Sequence, residues 1–458
     1  IVSILKIVFY VWVWSSFCSF TPGLGELGSF GSWYYEPIAF QKAVLWSMAF
    51  EGLGLGCGSG PLTGRYNPPL GGALYFCRPG TTKVPFFAGI PIFGGSKRTV
   101  LDVVLYVAHI LFLFRALIAP ELSIDLFIPT LVLLPLLGLT DKTIFLASRA
   151  EHYYTALVCF MFAGDWLAGS KLVWVAIWLW AATSKVNHHF PSVVAVMQSN
   201  SPLTRIGSIR KLFYRSYPDD LRPSRLTHVM AHAGTAVEYA FPVALVLSDG
   251  GTTTTIALAV MLLFHTFITS SIPMGVPIEW NVIMVYGGFV LFGHYADVNL
   301  FKGDCWKKLD ESITKAAPGL RAQLEGMLDE DAVTASVSNI LAFRSMHLHG
   351  RCLPFLLPKA VDNIDDYEYL DGEVVAGIVL GWNFGEGHLH DMQLLRSIQE
   401  ECHFEEGELR CIFVESQPMG QPTHSWTIAD AATGVRETGK IVVKDLLELQ
   451  PWPPMPTS

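Results

Sequence analysis

Nine apolar runs follow one another at about 1–20, 37–57, 101–118, 126–140, 144–162, 171–187, 229–248, 252–272 and 280–296. Each is long enough to cross a hydrocarbon core or nearly so, which leaves a helix bundle or a closed barrel as the only folds that satisfy the backbone there. The runs lack the strict alternation of barrel strands, so they predict helices. Composition agrees: 51% of the 458 residues are hydrophobic and 16% are charged. The expected fold is an all-α polytopic membrane bundle of eight or nine transmembrane helices with a small C-terminal α+β soluble domain. Pro129 and Pro135 leave open a broken or re-entrant helix at 126–140.

Charge divides the chain. The first 300 residues carry 18 Lys/Arg and 15 Asp/Glu, whereas 301–458 carry 13 and 25. A change of solvent near residue 300 therefore separates a transmembrane domain (1–300) from an amphipathic helical linker (301–339) and a small extramembrane domain (340–458). Within that domain, 374–380 reads as a buried strand, 392–402 as a helix and 411–414 as a strand. A hairpin is expected around the turn Ala431-Ala-Thr-Gly434. The acidic tail shows no polyacidic run and reads as an ordinary soluble domain, so no nucleic-acid partner is expected. Arg65, Arg78, Lys83, Lys97 and Arg98 in one loop, and Arg205, Arg210, Lys211, Arg215, Arg222 and Arg225 in another, place both loops on one side of the membrane. The chain opens at Ile1 inside an apolar run, which implies a start further upstream.

Eight widely spaced cysteines include no C-x-x-C pair, which excludes a zinc ribbon or a thioredoxin-like motif. Two H-x-H pairs, His347/His349 and His388/His390, lack a third ligand at metal spacing, so no metal site is assigned.

Ionisable groups at membrane depth are the functional candidates, because each must pair, be neutral or face water. The end of the 171–187 run delivers Lys185, Asn187, His188 and His189 together. His228, His232, Thr235 and Tyr239 form one helical stripe in the 229–248 run, with Glu238 beside it. His265 lies mid-span, ahead of the polar cluster Glu279-Trp-Asn281. Lys185, Glu238, His265 and His188 are the candidate catalytic groups, and Asn187, His189, His232 and Asn281 the candidate ligand contacts. The plainer alternative is a buried Lys–Glu or Glu–His pair that only fixes helix packing. Apolar lining around such groups would suit a lipophilic small molecule with a polar head, such as a quinone or lipid; no cofactor is specified.

The series Trp33-Tyr-Tyr-Glu-Pro-Ile38, Phe50-Glu-Gly-Leu-Gly-Leu-Gly-Cys-Gly58, Ala182-Thr-Ser-Lys-Val-Asn-x-His-Phe-Pro191, Pro218-Asp-Asp-Leu-Arg-Pro223, Ile272-Pro-Met-Gly-Val-Pro-x-Glu-Trp-Asn281 and Gly381-Trp-Asn-Phe-Gly-x-Gly-His-Leu-His390 resembles a functionally uncharacterised family of bacterial transmembrane proteins over nearly the whole chain. That resemblance implies an integral membrane location, bacterial inner membrane or organelle, and no activity. More distantly, Ser184-Lys185-Val-Asn187, Glu238-x-x-x-Pro242 and His265 look similar, in order, to motifs of the horizontally transferred transmembrane domain group that includes vitamin K-dependent gamma-carboxylase. By that likeness Lys185 would be the base acting on a quinone-like ligand. Two function classes stay open: a membrane enzyme or lipophile-binding protein, and a non-catalytic accessory subunit of a larger membrane complex, photosynthetic or respiratory.

Overall fold

The computed structural model describes residues 2–55, 71–81, 83–87, 93–162, 166–186, 190–201, 206–217, 220–270, 278–298, 403–414 and 422–442, with isolated positions at 356, 359–360, 392, 395–396, 399–400 and 445. Every apolar run becomes helix. In chain order these are α1 (Val2–Cys18), α2 (Pro37–Gly52), α3 (Gly71–Phe76), α4 (Val100–Ile118), α5 (Ile124–Thr140), α6 (Lys142–Ala147), α7 (Ala150–Phe160), α8 (Trp166–Lys185), α9 (Phe190–Asn200), α10 (Gly207–Lys211), α11 (Arg225–Leu247), α12 (Gly251–Ser270) and α13 (Ile278–Gly288), which runs on into a π-helical turn, Phe289–His294. Among the described residues four helices, α4, α8, α11 and α12, are long and apolar enough to cross a membrane. α1 and α5 are apolar but shorter. The structure thus supports a multi-span bundle, and a count of eight or nine crossings goes beyond its four helices of full length.

Two runs differ from expectation. The 144–162 run is cut between α6 and α7, where Arg149 takes a left-handed conformation (φ 50°). α5, by contrast, runs unbroken through both prolines. Pro135 supplies no N–H to the Leu131 carbonyl, and the Tyr154 hydroxyl of α7 donates to that oxygen instead, at 3.0 Å. α13 lies close against α8 and α12 because Gly287 and Gly288 carry no side chain there. A Cβ at Gly287 would run into the Trp174 indole, and one at Gly288 into Met261.

Buried charges at the rim of the bundle are locked by backbone groups. Asp102 closes a capping box with Thr99 at the start of α4 and takes a 2.8 Å bond from Lys83. Asp141 caps α6 through the Thr143 N–H (3.1 Å), accepts the Val84 N–H (3.2 Å) and pairs with Arg98. On the opposite rim, the Lys42 ammonium caps the end of α1 at the Phe17 carbonyl (2.9 Å), and Lys171 donates to the carbonyls of Tyr295 (2.7 Å) and Val298 (2.6 Å).

The tail contributes an antiparallel three-stranded sheet. The three strands follow a hairpin between α10 and α11, β1 (Tyr214–Ser216) with β2 (Asp220–Pro223). They are β3 (Arg410–Val414), β4 (Thr423–Asp430) and β5 (Gly434–Val442), in that order across the sheet. The predicted strand at 411–414 and the turn at 431–434 are both present, with β5 starting directly at Gly434. Asp430, fully buried, holds that turn by accepting the Ala432 and Gly407 N–H groups. Burial pushes the neighbouring Cys411 thiol up to about 12. Phe404 and Leu409 rest on the cluster of Tyr75, Phe76, Tyr106 and Ile144 at the end of the bundle. The 374–380 strand, the 301–339 linker and both H-x-H pairs lie outside the described residues.

Candidate functional site

The seam that α11 buries runs Thr227, Ala231, Thr235, Glu238, Pro242 and Leu245. Those i+3 and i+4 steps centre on the Glu238 side of the stripe read from sequence, so Glu238 points inward and is 3% exposed. His232 falls on the exposed side of the same helix, away from Glu238, and the structure does not bring this expected ligand contact to the site. His228, one turn earlier, hydrogen-bonds the Ser224 carbonyl at 2.9 Å. It lines an open surface cavity of about 530 Å³ with Arg215 and Arg225.

Both α8 and α9 pack along α11, and Lys185 is the last residue of α8. Its ammonium meets Glu238 head-on, 2.5 Å from Oε1 and bonded also to Oε2. The pair is asymmetric: the lysine side chain is 24% exposed and the carboxylate 5%. The Phe264 ring faces the ammonium at 5.8 Å, a cation–π contact that compensates part of the lost hydration. The Tyr239 hydroxyl donates to Thr183 at 2.8 Å and ties α11 to α8 two residues before the lysine.

His265 is engaged at both ring nitrogens. Trp178, whose indole can only donate, points Nε1–H at the histidine Nε2 at 3.1 Å. Nε2 must therefore be the acceptor and Nδ1 the protonated atom, which donates to Asn281 Oδ1 at 2.8 Å. The tautomer and the amide orientation are fixed by the one partner whose role is unambiguous. This geometry makes His265 a neutral junction of α8, α12 and α13, with Asn281 as its acceptor, rather than a free base beside Lys185. Trp178 and Phe264 were missed by the sequence reading, because an aromatic on an apolar helix reads as packing. Asn187, His188 and His189 lie outside the described residues.

A second polar cluster sits where α1, α2, α7 and α13 meet. Glu51 and Glu279 are buried at 3% and 2% exposure and share a side-chain hydrogen bond. The Lys6 ammonium lies 3.0 Å from Glu279, and the Arg149 Nε lies 4.0 Å from Glu51. Trp280, between the Glu279 and Asn281 of the two clusters, stacks edge-on with His152 and faces Arg149. The first turn of α13 thus serves both sites.

The family model of a transmembrane protein of unknown function, DUF3556, matches residues 1–303 and 298–458. The chain belongs to this family. It is an integral membrane protein, in keeping with its four helices of spanning length. No curated protein and no solved structure matches the chain.

Proposed function

We propose that this DUF3556 protein binds a lipophilic molecule with an ionisable head, of quinone or lipid type, against the Lys185–Glu238 pair, and that the pair exchanges a proton with it. The observation that carries this reading is the asymmetry of the pair: a buried carboxylate holds an ammonium that remains partly accessible at a helix end, beside an aromatic face. A pair needed only for packing gains nothing from leaving the lysine open.

In the ion pair the ammonium carries the proton. Passing that proton to Glu238 leaves a neutral amine and a neutral acid, a state with no net charge to desolvate. The free amine then takes a proton from a ligand hydroxyl, and the ammonium so formed faces the new oxyanion. Lys185 is the base, Glu238 holds the proton in reserve, and His265, Trp178 and Asn281 fix the helices that carry them. The order of Lys185, Glu238, Pro242 and His265, similar to that of the gamma-carboxylase group, supports the same roles. Under the accessory-subunit reading the apolar helix faces would be docking surfaces. Exposed side chains such as Val8, Leu111 and Leu263 are what lipid contact requires in any case, and give that reading no separate support.

The test is binding of a short-chain naphthohydroquinone to the full chain in detergent, followed by tryptophan quenching. Lys185→Met is expected to weaken binding at least about tenfold, the loss of one charge-assisted hydrogen bond. Unchanged binding in a stably folded Lys185→Met/Glu238→Gln double variant overturns the proposal.

A further inference from the structure

Glu51 and Glu279 have no part in the Lys185 reading, yet both carboxyls are buried, at 3% and 2% exposure. Their surroundings are unequal. Glu279 has Lys6 at 3.0 Å, within direct ion-pair contact. The Arg149 Nε stands off from Glu51 at 4.0 Å, and the Oε1 it approaches makes no hydrogen bond. The buried hydroxyl of Tyr153, on the turn of α7 that follows Arg149, also has no hydrogen-bond partner. Unmatched polar atoms are uncommon in protein interiors, and the Glu51 Oε1 and the Tyr153 hydroxyl each call for an explanation.

A hydrogen bond between two carboxyl groups requires that one of them carry the proton. Ion pairing makes Glu279 the ionised member, and Glu51 is left as the acid. We infer that Glu51 and Glu279 form a proton-binding site inside the bundle, holding one proton between them. Moving the proton from the Glu51 carboxyl to the Glu279 carboxylate breaks one O–H bond and makes another. The negative charge then shifts from the Lys6 side to the Arg149 side. A cation waits at each end, so both placements are compensated. The groups that face the pair are Lys6 and Tyr10 on α1, Arg149 at the α6–α7 junction, and His152 and Tyr153 on α7. All of them except Glu51 and Glu279 keep their charge state during the transfer. The chemistry is that of a proton-coupled membrane protein, independent of what binds at Lys185.

Infrared spectroscopy of the full chain in lipid nanodiscs tests this. At neutral pH the wild type should show the C=O stretch of a protonated carboxyl, and transfer to heavy water should shift it. Glu51→Gln, which keeps shape and can still donate to Glu279, should remove the band while thermal unfolding stays cooperative. Glu238→Gln serves as the control and should leave the band in place. If the band survives Glu51→Gln, is lost only in Glu238→Gln, is missing from the wild type, or fails to shift in heavy water, the proton-binding site is overturned.

Discussion

Asp141 and Glu238 are both buried carboxylates paired with a single basic side chain, but they differ in what else they hold. Asp141 caps α6, accepts a backbone N–H from Val84 and meets an arginine that is itself buried beneath Tyr75 and Phe76. Every hydrogen bond there fixes a piece of chain. Glu238 holds no backbone N–H in the bonds that define its site; it holds Lys185, and Lys185 keeps a quarter of its side chain open. Charge burial costs several kcal/mol wherever it occurs. At Asp141 the return on that cost is local architecture, whereas at Glu238 it is a single link between α8 and α11 that leaves the lysine partly open.

Breaking the two pairs separately should therefore give unequal results. Arg98→Met leaves Asp141 charged and sealed from water, with an expected loss of about 3–5 kcal/mol in chemical denaturation or a failure to assemble. Lys185→Met should cost less, about 1–3 kcal/mol, because Glu238 can take up a proton and the site is partly open. Adding Glu238→Gln should restore most of that loss without restoring ligand binding. A double variant that regains both, or an Arg98→Met protein as stable as wild type, would erase the distinction between the two regions.

Gly287→Ala probes the scaffold beneath both sites. The new methyl would press on the buried Trp174, and an overpacking cost of about 1–2 kcal/mol is expected in thermal unfolding. The smallest effect is expected in the sheet. With its thiol raised to about 12, Cys411 has almost no thiolate at neutral pH. Iodoacetamide should leave it unmodified until the pH approaches that value or the sheet unfolds, while the exposed Cys77 reacts first; mass spectrometry of the labelled chain reads both.

Much of the bundle was legible because lipid imposes one rule on every span, and apolar runs obey it visibly. All nine runs are helical, and Lys185 with Glu238 stood out as charges where none is tolerated. Partnership was less legible. Lys6 sits near the start of α1, and α13 brings Glu279 beside it across 273 positions of sequence. The break at Arg149 depends on a left-handed residue that no composition announces. The role of His265 was decided by Trp178, whose single N–H is lost in the hydrophobic signal of α8. The two prolines of α5 raised the question of a broken helix, and the resolution lay in a tyrosine hydroxyl 19 positions beyond Pro135.

That hydroxyl has a consequence for how the bundle is made. In hydrocarbon a carbonyl with no donor costs several kcal/mol, and α5 carries one at Leu131 that it cannot satisfy from its own sequence. The donor arrives only with α7, after the ribosome has added two further turns of chain and the α6 segment. Until then the Leu131 carbonyl lacks its donor, and α5 is an incomplete solute in lipid. Tyr154 therefore makes a unit of α5 and α7: the hydrogen bond that completes one helix for hydrocarbon is carried by the other.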